Sequence, residues 1–223
     1  NETYARFPGS DRYLTAILAA QSAYPAGSCT SVIIATGANY PDALAAAGLG
    51  GAANAPVLLV NPARSRAEVI TEIKRLTQGQ PSFKLYIMGG TAAVPTSSES
   101  WLKSSLTGES VERFAGTDRY HTARLVAAKM KSLLGGSFGT KALLVPGMDF
   151  TDGLIVGPAA YSAKAPILLT RPQSDWELAG TLQQLGTTEL VLCGSTAALP
   201  AASAETYLKG VVPGLTTVRS TSS

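Results

Sequence analysis

The side chains able to do chemistry in this 223-residue chain come in pairs. Arg12 and Arg119, Asn39 and Asp149, Asp42 and Asp152, and Thr91 and Thr196 occupy matching places in two stretches of similar sequence. A guanidinium can fork onto a phosphate or a carboxylate. A carboxylate at a helix start can favour the helix dipole or act as acid or base. Asp42 and Asp152 each follow a strand and open a helix, a place that favours the dipole role over proton transfer. No catalytic partner accompanies them. His121 is the only histidine, which excludes a multi-histidine metal site and leaves the first copy without a Ser-His-Asp triad. Its counterpart is Leu14, so a plain helix-face role is expected for it. Gly48-Leu49-Gly50-Gly51-Ala52-Ala53 spells a dinucleotide fingerprint, but it falls late in a helix and before a strand, the inverse of the context that chemistry needs. No Gly-Lys-Ser/Thr phosphate loop occurs. Hence no catalytic residue, metal or cofactor is assigned.

The pairing of these residues comes from a duplication. Arg6-Phe7-Pro8-Gly9-Ser10-Asp11-Arg12-Tyr13-Leu14-Thr15-Ala16 returns as Arg113-Phe114-Ala115-Gly116-Thr117-Asp118-Arg119-Tyr120-His121-Thr122-Ala123, 107 positions later, with eight identities in eleven. Ile34 to Leu44 matches Leu144 to Leu154, Ala55 to Leu59 matches Ala165 to Leu169, and Leu85 to Pro95 matches Leu190 to Pro200. The offset drifts to 110 and then 105, placing insertions and deletions in loops that tolerate them. A period this long implies two globular units rather than a thin solenoid. The domains expected are residues 1–110 and 111–223.

Each copy alternates helix and strand. Ser10 and Thr117 read as N-caps of the first helices, with Asp11 and Asp118 in the first turn. Val32–Ala35 and Ala142–Val145 are unbroken apolar runs, as in parallel strands covered on both faces. Val57–Val60 and Ile167–Thr170 form the second strands. Ser65 to Glu68 and Ser174 to Glu177 read as capping boxes of the helices that follow, and Thr96 to Glu99 as another. Lys84–Met88 and Glu189–Cys193 are the third strands. Val111–Phe114 is a short strand at the seam, and Thr216–Arg219 repeats it 106 positions after Arg113, either completing the second sheet or opening a further copy. The fold class is therefore α/β: two tandem Rossmann-like, flavodoxin-like modules with open parallel sheets flanked by helices.

Composition narrows the function. Charged residues are 15% of the chain and the net charge is +3, with no basic run or basic-aromatic stripe, so nucleic acid is not an expected partner. No apolar stretch approaches a membrane span, and no membrane insertion is expected. Cys29 and Cys193 fall at non-equivalent places, which excludes a repeated disulfide framework. Few charges with much Ala, Gly, Ser and Thr suit an exported protein.

The repeated openings, the turns Gly37-Ala38-Asn39-Tyr40-Pro41-Asp42 and Gly147-Met148-Asp149-Phe150-Thr151-Asp152, the Ala-Pro-Val/Ile-Leu-Leu strands and the Gly89-Gly90-Thr91-Ala92-Ala93-Val94 turn together resemble the cell-wall-binding repeat type 2 family of Gram-positive bacteria. The resemblance spans both copies. It implies secreted, cell-wall or surface-layer proteins whose Rossmann-like modules, commonly in threes, attach noncovalently to an anionic wall polysaccharide or teichoic-type polymer. A third repeat or a homo-oligomer is the implied partner arrangement. The second copy departs from the pattern at Gly153 and Ser195, which replace Ala43 and Gly90, so equal binding by both copies is not implied.

Ligands of open parallel sheets bind beyond the carboxyl ends of the strands. That rule gathers Arg12, Asn39, Asp42 and Thr91 into one expected ligand-binding set and Arg119, Asp149, Asp152 and Thr196 into the other. For both arginines an anion contact and a salt bridge between the repeats stand as alternatives. The expected function is noncatalytic wall attachment. A peptidoglycan-acting or nucleotide-dependent enzyme and a self-associating surface module are the rival readings.

Overall fold

The computed structural model describes residues 6–38, 44–63, 66–148, 155–171 and 175–220. In the first copy the described elements are α1 (Arg12–Ala23), β1 (Ser31–Thr36), α2 (Ala46–Ala53), β2 (Val57–Val60), α3 (Ala67–Leu76), β3 (Phe83–Met88), α4 (Thr96–Ser105) and β4 (Glu109–Phe114). The second has α5 (Arg119–Leu134), β5 (Lys141–Pro146), α6 (Gly157–Ala163), β6 (Ile167–Thr170), α7 (Trp176–Leu185), β7 (Glu189–Leu192), and β8 (Thr216–Arg219). Between β7 and β8 lies a helix that starts as a π-helical stretch, Ala202–Tyr207, and ends as the α-helical turn Leu208–Val211.

Two four-stranded sheets result, ordered β2-β1-β3-β4 and β6-β5-β7-β8. β1 pairs in parallel with β2 and β3, and β5 with β6 and β7. β8 runs parallel to β7, with Val191 opposite Val218, so the last described residues complete the second sheet. All six residues of β1 are buried, which explains why the run carries no alternation of apolar and polar residues. In both sheets the chain order reverses across the first strand, creating the switch point at which a crevice opens beyond the strand ends.

By packing, the chain divides into two compact units, residues 1–39 with 54–113 and residues 40–53 with 114–223. In the first, Val32, Ile34, Leu58, Val69, Ile73, Leu85 and Leu102 form a core with Ile17 of α1. In the second, Leu144, Leu168, Leu178, Leu182, Leu190 and Leu208 do so with Ala127 of α5. Helix α2, encoded in the first sequence copy, packs within the second unit. A Cβ on Gly48 would lie 2.5 Å from the Ala165 carbonyl oxygen, and one on Gly51 would overlap the Tyr161 carbonyl. The glycines of the false dinucleotide fingerprint thus serve close helix packing.

The helix starts differ from expectation by a residue. Asp11 and Asp118, not Ser10 and Thr117, are the N-caps: Asp11 Oδ1 accepts from the amides of Tyr13 and Leu14 at 3.0 and 2.9 Å, and Asp118 Oδ1 from that of His121 at 2.8 Å. A carboxylate outcompetes a hydroxyl here because its charge also meets the positive end of the helix. For α3 and α7 the caps are Arg66 and Asp175, and only Asp175 caps with its side chain, accepting from Leu178 N at 3.0 Å. The serines expected there, Ser65 and Ser174, lie outside the described residues. Pro95, not Thr96, precedes α4, and Glu99 turns away from the helix start toward Arg113. Cys29 and Cys193 are buried and form no disulfide.

Candidate ligand-binding edge

The repeated opening motif builds the same structure at the carboxyl end of each sheet. Once Asp11 has capped α1, Arg12 points back to the end of β1, and its Nη1 donates to the Gly37 carbonyl at 2.6 Å. Arg119 does the same to Gly147 at 2.8 Å. The rings of Tyr13 and Tyr120 press against the same glycines, where a Cβ would overlap them. This close approach is why a glycine directly follows both strands.

Each capping aspartate also holds a second arginine. Arg66 Nη1 meets Asp11 Oδ2 at 2.7 Å and its guanidinium lies 4.9 Å from the centre of the Tyr13 ring. In the second unit Arg171 Nη2 meets Asp118 Oδ2 at 2.6 Å and lies 4.2 Å from the Tyr120 ring. The two arginines come from different chain positions. Arg66 precedes α3, whereas Arg171 directly follows β6, and the residue preceding α7 is Asp175. Sequence alignment therefore misses the correspondence, and only packing reveals it. The Asp11 carboxyl is held below its ordinary value, chiefly by the Leu14 amide, with Arg66 adding to the effect against partial desolvation.

A further clamp fixes the turn that carries the hydroxyls. Arg113, at the end of β4, donates from Nη1 to the carbonyls of Gly89 and Val94 at 2.9 and 3.0 Å and pairs with Glu99 at 2.7 Å. Arg219, at the end of β8, repeats this on Gly194, Leu199 and Glu205. The first arginine of the opening motif is thus the clamp of the preceding copy's turn. Its pairing with a glutamate fourteen residues upstream was the signal available in the sequence. Lys103 and Arg113 together hold the Glu99 carboxyl below its ordinary range.

Of the expected ligand-binding residues, Arg12 and Arg119 stand at the ends of β1 and β5, and Thr91 and Thr196 are exposed in the turns after β3 and β7. Because β1 neighbours β3 and β5 neighbours β7, each arginine and threonine share one edge. Asn39, Asp42, Asp149 and Asp152 lie outside the described residues. Among the described residues no carboxylate pairs with Arg12 or Arg119, and no cluster of His, Cys, Asp and Glu could hold a metal ion. No described helix is long and apolar enough to cross a membrane.

Grooves also run between helices, about 600 Å³ between α1 and α3 and about 300 Å³ between α5 and α7. Leu14 and Ile17 line the first where His121 and Arg124 line the second. Their chemistry is not repeated between the copies, whereas that of the strand-end edge is.

The cell wall binding domain 2 (CWB2) family matches residues 6–99 and 113–204. The chain is 32% identical over 195 residues to the N-acetylmuramoyl-L-alanine amidase LytC of Bacillus subtilis, covering 87% of this chain and 36% of that protein. It is 32% identical over 167 residues to the amidase enhancer of the same organism, covering 74% and 21%. Its structure resembles Cwp8 from Clostridium difficile, with a TM-score of 0.82 and 27% identity over 95% of this chain and 34% of that one. Cwp6 from the same species gives 0.81 and 24% over 96% and 33%, a likeness of fold. The chain thus spans roughly a third or less of these relatives' lengths.

Proposed function

The chain belongs to the cell wall binding domain 2 family, and from that membership we propose that it holds a secreted protein on the bacterial cell wall by gripping an anionic wall glycopolymer, without cleaving bonds. One observation carries the reading. Both units present an arginine locked to a strand-end carbonyl, without a carboxylate partner among the described residues, on the edge where an exposed threonine turn is clamped in place. A guanidinium already fixed by one hydrogen bond keeps its other donors for phosphate or carboxylate and loses little freedom on binding. Asn39, Asp42, Asp149 and Asp152, which follow β1 and β5 in sequence, are further contacts to the same polymer in this reading. Two such edges on one chain raise avidity for a repetitive polymer far above the affinity of either. The polymer is a teichoic-type chain or an acidic polysaccharide.

Cosedimentation with purified walls, before and after the anionic polymer is stripped, tests the proposal. Binding is expected to vanish after stripping, to weaken with salt as exposed charges are screened, and to fall when Arg12 and Arg119 are both replaced by Ala. Undiminished sedimentation on stripped walls overturns it.

A further inference from the structure

The two strand-end edges differ in what they expose. Where the first unit has Ala38 after β1 and Ala67 at the start of α3, the second has Met148 and Trp176, 71% and 74% exposed. The arginines differ in the same direction, since the Arg66 side chain is 8% exposed and that of Arg171 is 35%. Arg171 Nη1 stands 3.7 Å from both Asp175 Oδ2 and Glu177 Oε2, the carboxylates on either side of Trp176 in sequence. That is too far for a hydrogen bond. Asp175 Oδ2 is buried and has no hydrogen-bond partner among the described residues.

We infer that this edge of the second unit is a subsite for a neutral sugar ring, with the indole of Trp176 carrying the C–H face of a pyranose and ring hydroxyls bridging Arg171 Nη1 and Glu177. The chemistry selects the ligand. An indole left open to water gains most from a flat apolar face laid against it. Three carboxylates, Asp118, Asp175 and Glu177, stand against two guanidiniums, Arg171 and Arg124, the latter paired with Glu177 at 2.9 Å, so the cluster keeps an excess of negative charge and disfavours an anion. A guanidinium and carboxylates separated by a gap need a group that both accepts and donates, which a sugar hydroxyl does. The first unit, with alanines and a buried Arg66, offers no such platform. The inference rests on the wall-polymer reading and gives the second unit a saccharide contact in addition to the anion contact of Arg119.

Trp101→Phe leaves Trp176 as the sole tryptophan. This variant is titrated with glycan-strand oligosaccharides released from purified walls by a muramidase, with the glycosyl-bearing anionic polymer released by mild acid, and with a sugar-free oligo(glycerol phosphate). At least one sugar-bearing fraction is expected to shift Trp176 emission saturably, identifying the source of the ring, while the sugar-free anion leaves it unchanged. Calorimetry should show about a tenfold loss of affinity for that fraction in Trp176→Ala and a smaller loss in Trp176→Phe, with circular dichroism unaltered. An emission silent to both sugar fractions, a response to the sugar-free anion alone, or wild-type affinity in Trp176→Ala overturns the subsite. Polymer-dependent sedimentation of Trp176→Ala would leave wall attachment standing in that event, whereas polymer-independent sedimentation of the wild type sinks attachment itself.

Discussion

At the residue scale, the aspartate of the opening motif carries three duties: it caps a helix, holds a second arginine, and so sets the arginine that follows it. Asp118→Ala is expected to cost about 1 kcal/mol from the lost cap, and more from Arg171 losing its closest partner, whereas Thr117→Ala should stay within about 0.5 kcal/mol. Thermal unfolding distinguishes them, and Asp11→Ala should lower the midpoint in the same direction relative to Ser10→Ala. The sequence made the Asp-Arg-Tyr triplet visible by repeating it. It did not reveal which residue caps, because Ser and Asp side by side satisfy the same rule and only backbone geometry chooses. Nor could it reveal that Arg66 and Arg171 are equivalent, since their positions do not align. Burial also pushes the Cys29 thiol up from its ordinary range. Cys29 should accordingly resist thiol reagents in the native protein at neutral pH and react once the chain is unfolded, which labelling with mass spectrometry checks.

At the element scale, strands and helix order were legible because parallel strands buried on both faces are unbroken apolar runs, and a second copy of each run removed the ambiguity of short segments. The final strand was legible for the same reason: Thr216–Arg219 reproduces the seam strand down to the arginine equivalent to Arg113. What escaped was which acids belong to which cations. Glu72 on α3 is buried, takes both arms of Arg75 at 2.9 and 2.7 Å, and accepts from Gln21 of α1 at 3.0 Å. These contacts tie α1 to α3. Glu72→Ala, which leaves the partly buried Arg75 without its counter-ion, should cost about 3 kcal/mol in denaturant unfolding. Glu72→Gln, which keeps an acceptor, should cost less.

At the scale of the molecule, acid tests the carboxylate network of the first unit. Asp11 and Glu99 both have native values lowered from 3.8 and 4.5, so the folded state binds protons less readily than the unfolded chain. Their stabilisation is complete above those ordinary values and is lost as pH falls through the lowered native ones. Melting curves recorded from pH 7 downward should hold a plateau to about pH 5 and then decline. A decline that begins well above that pH would overturn the assignment to these two carboxylates.

Helix α2 carries one last implication. Because residues 46–53 are encoded in one half and packed in the other, evolution could double the gene segment without producing two freestanding proteins. A protease nick or an engineered split near residue 110 should release an amino-terminal piece with a homeless, glycine-rich helix and a carboxyl-terminal piece missing part of its wall. Neither is expected to be monodisperse when expressed singly, and mixing the two should restore a well-dispersed species on a sizing column. The smallest transplantable anchor is then the tandem pair, not the repeat.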